Sequence, residues 1–318
     1  MFYSIRHITR FVYGAPISES IMEVRMQPRT ESGQRSLQFD LSTNPRARIL
    51  AYRDYLGNVV HHFDIPGRHT QLRITAEATV EVMPPLIVPE SLSSDAWAVI
   101  DAEALKGEYW DYLRPSVFVV ESEPLDELAR ELRVERRADP LTLLREINAG
   151  IYQAFDYRPQ TTQVDSPIDD ALRARRGVCQ DFAHIMLGLV RKLGIPARYV
   201  SGYLYHGAED KDRSSAGATH AWLEVWLPEL EWVGFDPTNN LIVSERHIRT
   251  AIGRDYDDVP PTRGVFKGKT SSELSVAVQV LLSNAPFPKD EFVAGMTWVA
   301  PLAEEEEQYA QQQQQQQQ

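Results

Sequence analysis

The first ninety residues alternate between apolar and polar positions, which is the period of strands with one buried face. The clearest run spans residues 72–82, where every second residue is apolar. Shorter alternating runs occupy residues 37–41 and 59–65, with the turn-like Gly57-Asn58 between them, and Pro84-Pro85 ends the pattern. We therefore predict an antiparallel, β-sandwich-like N-terminal domain over residues 1–90.

Helical signals replace this alternation in the middle of the chain. Ser122-Glu123-Pro124 predicts a helix that continues to about Arg137, Asp139-Pro140 caps a second helix, and Ser166-Pro167 opens a short third one. The longest helical pattern comes next and is closed by Gly194 and Pro196. Its apolar residues recur at spacings of three, four and four: Phe182, Ile185, Leu189 and Leu193.

Strand-like segments return after this helix. They cover Arg198 to Tyr205, His220 to Leu227, Glu231 to Asp236 and Ser275 to Leu282. Loop-like compositions occupy residues 207–217 and 253–270. Helices followed by strands indicate an α+β domain, which we place at residues 91–302.

Composition and charge narrow the class of protein. The 318 residues carry a net charge of −12, which argues against a nucleic-acid partner. No segment has the roughly 20 apolar residues of a membrane span, and the N-terminus lacks the apolar core of a signal peptide, so we expect a cytoplasmic protein without a membrane partner. Residues 303–318 are rich in Glu and Gln and are predicted to be a disordered tail.

The chain has a single cysteine, Cys179, which can form neither an internal disulfide nor a Cys-rich zinc site. It follows Gly177-Val178 and lies in the first turn of the longest predicted helix. The unpaired N–H groups at a helix N-terminus favour a thiolate and can stabilise an oxyanion that forms beside it. The position of Cys179 therefore makes it a candidate nucleophile.

A thiolate nucleophile also needs an imidazole and a group that orients the imidazole. His220 begins one predicted strand and Asp236 ends the next. If a three-residue turn places Leu227 opposite Glu231, His220 and Asp236 lie diagonally on the same face of the hairpin. A turn with an even number of residues would place them on opposite faces.

Taken singly, each of these residues has an ordinary structural interpretation. A lone cysteine is most often a core thiol, a strand histidine is most often a packed residue, and an aspartate before proline is most often a turn residue. The same holds for the tryptophans of the hairpin, which we expect to pack. Only the ordered combination of the three residues favours catalysis.

The combination also resembles a known family. The segments Gly177 to His184, Leu193 to Tyr203, His220 to Trp226 and Gly234 to Asn239 are similar to motifs of the transglutaminase-like family, in particular its bacterial branch of cysteine proteases. Residues 1–90 resemble the β-rich N-terminal region that accompanies this branch. The segment from Val259 to Gly264 resembles its C-terminal extension.

This resemblance implies a papain-like, transglutaminase-like core, in which a central helix packs on an antiparallel sheet. It implies a catalytic triad of Cys179, His220 and Asp236. Gln180 and Tyr157 become candidates for additional oxyanion donors, and Trp222 for a substrate contact or a shield over the thiolate. The calcium-binding segments of animal relatives find no counterpart in this sequence, so we expect no metal and no cofactor.

The resulting hypothesis is a thiol-dependent enzyme that acts on peptide, isopeptide or glutamine-amide bonds of a peptide or protein substrate through a thioester. We expect water to resolve the thioester, which makes the protein a hydrolase. One alternative is a protein-glutamine gamma-glutamyltransferase, in which an amine takes the place of water. A second alternative is a peptide-binding module that has the fold without catalysis.

Overall fold

The computed structural model describes residues 1–31, 33–85, 87–137, 139–159 and 165–283 of the chain. The predicted tail at 303–318 lies outside the described residues. The helices are α1 (Ala96–Lys106), α2 (Glu123–Glu131), α3 (Pro140–Ala154), α4 (Ile168–Ala174) and α5 (Cys179–Lys192). The strands are β1 (Phe2–Val24), β2 (Gln34–Asn44), β3 (Leu50–Arg53), β4 (Val59–Val82), β5 (Asp156–Tyr157), β6 (Arg176–Gly177), β7 (Ala197–Leu204), β8 (His220–Leu227), β9 (Glu231–Asp236), β10 (Leu241–Ile242), β11 (His247–Gly253), β12 (Thr262–Lys267) and β13 (Ser272–Leu282).

Two long antiparallel strands, β1 of 23 residues and β4 of 24 residues, form the centre of the N-terminal sheet. Their pairing shifts register between Val12 and Ile17. Phe11 lies before this irregularity and Met22 lies after it, yet both belong to one buried core. The sheet therefore folds over on itself, and its two halves pack against each other as the layers of a sandwich do.

Strands from the C-terminal part of the chain complete this sheet. β13 pairs with the first half of β1 and β12 with the second half. The sequence pattern predicts that residues 262–282 belong to the second domain and that 253–270 form a loop. The structure differs because these strands cover the β1 side of the central β1–β4 pair and supply Leu274 to the N-terminal core.

The predicted helices form at their predicted starts. The Ser122 side chain accepts a hydrogen bond from the N–H of Leu125 at the start of α2, and Asp139 caps α3 in the same way. One end differs from prediction, since α2 stops at Glu131 and not near Arg137. α4 ends at Ala174, and Arg175 after it has a left-handed φ of 51°. No helix in the described part of the chain is long and apolar enough to cross a membrane.

The second sheet has five antiparallel strands in the order β10-β9-β8-β7-β11. All eight residues of β8 are buried, because both of its faces are covered. Ala221, Leu223 and Val225 pack into the same core as the apolar residues of α5. Trp222 points to the other face and packs with Val200 of β7. A central helix on an antiparallel sheet confirms the predicted papain-like α+β core.

Side chains of the N-terminal domain hold the outer strand of this sheet. The Gln34 amide donates to the Arg249 carbonyl at 2.9 Å and accepts from the Arg249 N–H at 2.8 Å. Asn58 makes the same two bonds with Ile252. Both amides are fully buried. They supply β11 with the hydrogen bonds that a further strand would otherwise make.

Candidate active site

Cys179 is the first residue of α5 and lies half-buried against the helical core. The carboxylate of Asp181 accepts a 2.8 Å hydrogen bond from the N–H of Val178 and so caps the helix. A residue with a Cβ atom at position 177 would place that atom 2.6 Å from Oδ2 of Asp181. The close approach explains why position 177 is a glycine. The helix start places the thiol beside backbone N–H groups that have no partner within the helix.

The β8–β9 hairpin brings His220 and Asp236 together. Leu227 pairs with Glu231 and Leu223 with Phe235, which is the register expected from a three-residue turn. Nε2 of His220 lies 2.8 Å from Oδ2 of Asp236. Both side chains are almost completely buried, so this contact is shielded from solvent.

The electrostatics of the pair favour a charged imidazole. Burial by itself would lower the pKa of His220, but the neighbouring Asp236 carboxylate outweighs it, and the pKa is raised to about 10. Burial likewise would raise the pKa of Asp236, yet the hydrogen bonds from the histidines keep that pKa well below its ordinary value. The pair therefore consists of an imidazolium and a carboxylate at neutral pH.

The second ring nitrogen of His220 is not engaged by Asp236. Nδ1 is buried and makes no hydrogen bond within the described chain. Cys179 nevertheless contributes, after Asp236, to the raised pKa of His220. Since Asp236 engages Nε2, Nδ1 is the nitrogen that can exchange a proton with the sulfur.

Backbone and side-chain donors surround the Asp236 carboxylate. Oδ1 accepts from the N–H groups of Thr238 at 3.0 Å and Asn239 at 3.2 Å. Oδ2 accepts from the Asn239 amide at 2.8 Å in addition to His220. The turn that follows β9 therefore holds the carboxylate in one orientation. An aspartate that only forms a turn before a proline would not need this many hydrogen bonds.

A second imidazole reaches the same carboxylate. Nε2 of His247, the first residue of β11, lies 3.3 Å from Oδ2 of Asp236. The His247 side chain is completely buried. Sequence reasoning missed this residue, although the apolar residues Ile248 and Ile252 on either side of Thr250 give a weak signal for a strand. The contact with Asp236 becomes visible only in the structure, where β11 pairs with β7.

Asn239 links Asp236 to the charged loop at 207–217. Its amide donates to Asp236, while its Oδ1 accepts from the N–H of Arg213 at 2.8 Å. The guanidinium of Arg213 donates to the carbonyl of Tyr152 at 2.7 Å. The loop is thereby fastened both to the turn after β9 and to the end of α3.

The three additional candidates occupy different positions. Tyr157 pairs with Gly177 in the small parallel sheet, two residues before the nucleophile. Gln180 follows Cys179 in α5 and is buried. Trp222 has no exposed surface and packs against the rings of His220 and His247, at centroid distances of 6.1 and 5.2 Å. The indole thus lies behind the imidazoles and shields them from water.

His220, Asp236 and His247 offer ligand atoms that all lie within 4.8 Å of one another, a spacing that a divalent cation could bridge. Hydrogen bonds already account for this closeness, because both Nε2 atoms engage the same carboxylate oxygen. A metal ion would have to replace both bonds. We therefore assign the cluster to hydrogen bonding.

Comparisons with known proteins agree with this fold. A family model for the transglutaminase-like superfamily matches residues 126–237, and one for the bacterial transglutaminase-like N-terminal region matches residues 3–81. A crystal structure of a proposed cysteine protease from Cytophaga hutchinsonii has a TM-score of 0.69 at 22% sequence identity, covering 92% of this chain and 94% of that one. This likeness shows the shared fold.

Bacterial relatives match the chain to different extents. The uncharacterised protein ML0607 of Mycobacterium leprae is 34% identical over 276 residues, which are 86% of this chain and 96% of that protein. A protein-glutamine gamma-glutamyltransferase of Pseudomonas aeruginosa is 33% identical over 121 residues, which are 36% of this chain and 17% of that protein. Given the matches to both family models, the chain belongs to the transglutaminase-like superfamily.

Proposed function

We propose that this protein is a thiol-dependent amide hydrolase in which Cys179, His220 and Asp236 act as a catalytic triad. The observation that carries the proposal is the buried His220–Asp236 pair, held at 2.8 Å beside a cysteine at a helix N-terminus. Within the family that the comparisons establish, this set of groups is suited to acyl transfer through a thioester. The substrate is a peptide or protein that offers a backbone, isopeptide or glutamine amide.

In the first step, the Cys179 thiolate adds to the amide carbonyl carbon and forms a C–S bond. The proton from the thiol resides on Nδ1 of His220, which the Asp236 carboxylate stabilises as an imidazolium. Backbone N–H groups at the start of α5 offer hydrogen bonds to the oxyanion. As the C–N bond breaks, His220 gives its proton to the leaving amine or ammonia.

In the second step, water attacks the thioester carbonyl while neutral His220 accepts one of its protons. The C–S bond breaks and the acid product leaves. The Cys179 thiolate is then regenerated beside protonated His220. We propose Gln180 and Tyr157 as further oxyanion donors. Gln180 follows Cys179 directly, and Tyr157 pairs with Gly177, two residues before the cysteine. Trp222 keeps bulk water from the imidazoles.

A second candidate reaction replaces water with an amine and produces a new amide. The partial similarity to a protein-glutamine gamma-glutamyltransferase favours it. Both reactions share the first step and the same triad, so they differ only in the molecule that resolves the thioester.

The test compares both reactions on one substrate. Casein is incubated with the protein, with or without monodansylcadaverine as the amine, and mass spectrometry records cleaved peptides, glutamine converted to glutamate, and glutamine carrying the amine. Cys179→Ala serves as the blank. We expect cleavage or conversion to glutamate that requires Cys179, whereas incorporation of the amine without either would establish the transferase instead.

Alkylation of Cys179 tests the activated thiol without a substrate. Because the thiolate is the reactive form, iodoacetamide should modify the wild-type protein rapidly at neutral pH and the His220→Ala variant slowly. Equal rates in the two proteins would contradict an activating role for His220.

A further inference from the structure

The Asp236 carboxylate receives more side-chain donors than a triad requires. His220, Asn239 and His247 all engage Oδ2. His220 and Asn239 come from the hairpin and the turn that contain Asp236 itself, whereas His247 comes from β11, on the far side of β8 and β7 in the sheet order. A contact that joins two non-adjacent strands at a completely buried carboxylate indicates a specific role.

The structure assigns to His247 the role of a positioning residue, which acts through Asp236 on the orientation of His220. This inference rests on the proposed function of the triad. Nε2 of His247 engages Oδ2 of Asp236, the same carboxylate oxygen that His220 engages, and so restricts the rotation of the group to which His220 is bonded.

Local backbone structure fixes the proton on His247. The N–H of Ser244 donates to Nδ1 of His247 at 3.3 Å, and the N–H of His247 donates to the Ser244 carbonyl at 3.1 Å. A ring nitrogen that accepts an N–H must be unprotonated, so the neutral ring has its proton on Nε2. Nε2 is the atom that lies against Asp236, and His247 therefore donates to the carboxylate.

The surroundings of the ring leave it few other positions. Trp222 packs against it edge to face, with centroids 5.2 Å apart. The strand that carries it is anchored at Arg249 and Ile252 by the buried amides of Gln34 and Asn58. The ring Nε2–H of His247 thus points at Asp236. The backbone of the strand that carries it is held in place by the N-terminal domain.

Substitution of His247 tests the role. The change His247→Ala removes the donor, and we expect kcat to fall about 10- to 100-fold, because a hydrogen bond to a charged group is lost, while KM changes little. His247→Gln should restore most of kcat, since its amide nitrogen can occupy the place of Nε2. His7→Ala is the matched control, because His7 is equally buried but bonds to Tyr203 in the contact with the N-terminal domain.

Two readouts distinguish positioning from general loss of structure. The ¹⁵N spectrum of labelled His247 should show the Nε2–H form in the absence of substrate. The alkylation rate of Cys179 should fall in His247→Ala and recover in His247→Gln. Absence of Cys179-dependent turnover in the wild-type protein would contradict the proposed function itself. Normal turnover in His247→Ala, an equal loss in His7→Ala, or the Nδ1–H form would overturn the role of His247.

Discussion

Two buried carboxylates on neighbouring strands of one sheet are neutralised in different ways. Glu224 of β8 is completely buried between the guanidinium groups of Arg198 and Arg249. Asp236 of β9 is equally buried, but its side-chain partners are two imidazoles and an amide. Guanidinium groups remain charged at every physiological pH, whereas an imidazole can take up and release a proton.

The difference separates a structural ion pair from a chemical one. Arg198 donates to Glu224 through Nε at 2.8 Å and through a terminal nitrogen at 2.6 Å, and Arg249 also lies 3.6 Å from Glu31 of the N-terminal domain. This arrangement ties strands and domains together with fixed charges. In the proposed reaction, the Asp236 arrangement instead keeps a proton available next to Cys179. Substitutions that replace one carboxylate at a time can test this distinction.

The largest expected effect follows from Asp236→Asn. The neutral amide cannot stabilise the His220 imidazolium, so the hydrolysis rate should fall about 10²- to 10⁴-fold, as for loss of general acid–base catalysis. The free energy of unfolding should also fall, because the His220 imidazolium loses its buried counter-charge. Steady-state kinetics and urea unfolding of the same preparation check the two parts, and a nearly normal rate would contradict the triad.

The next effect is on stability. Glu224→Gln leaves two guanidinium groups without their buried counter-charge, so the free energy of unfolding should fall by about 3 kcal/mol. The kcat of the folded fraction should remain near that of the wild type, because Glu224 does not contact the triad groups. Urea unfolding and kinetics below the transition measure both values. A large fall in kcat with little loss of stability would reverse the roles assigned to the two carboxylates.

The pH dependence of stability should differ in sign between the two sites. Burial opposes ionisation of Glu224, but the arginines lower its pKa from 4.5 to about 2, so its contribution is present above pH 4.5 and is lost as pH falls toward 2. The pKa of His220 is raised from 6.5 to about 10, so its contribution is present below pH 6.5 and is lost as pH rises through 10.

Unfolding midpoints measured across pH can isolate each contribution. We expect Glu224→Gln to flatten the acid limb below pH 4.5 and His220→Gln to flatten the alkaline limb above pH 6.5. Buried His184 also weakens the wild type on the acid side, because burial lowers its pKa to about 3, so the difference between wild type and variant is the relevant quantity. Parallel acid limbs in wild type and Glu224→Gln would contradict the assignment.

The sequence predicts these regions unequally, for a physical reason. The N-terminal strands have one exposed face and therefore show alternation. The β8–β9 register follows from the sequence only once a three-residue turn is assumed, and the structure has that register. β11 is short and buried by a distant part of the chain, so its pattern did not identify it as a strand. His247, Gln34 and Asn58 act through contacts more than ten residues apart in sequence, for which local periodicity carries no signal.

The smallest expected effect comes from Arg198→Lys, which keeps the charge next to Glu224. Arg198 also lies over the Trp232 ring, with its guanidinium carbon 4.1 Å from the centroid. Lysine can replace neither the two-nitrogen contact nor the planar stacking, so we expect a loss of about 1 kcal/mol in the free energy of unfolding. Arg263→Lys, in an exposed pair with Asp257, is the matched control and should cost less. If the two variants lost equal stability, the geometry of the guanidinium at Glu224 would be unimportant, and only its fixed charge would distinguish that carboxylate from Asp236.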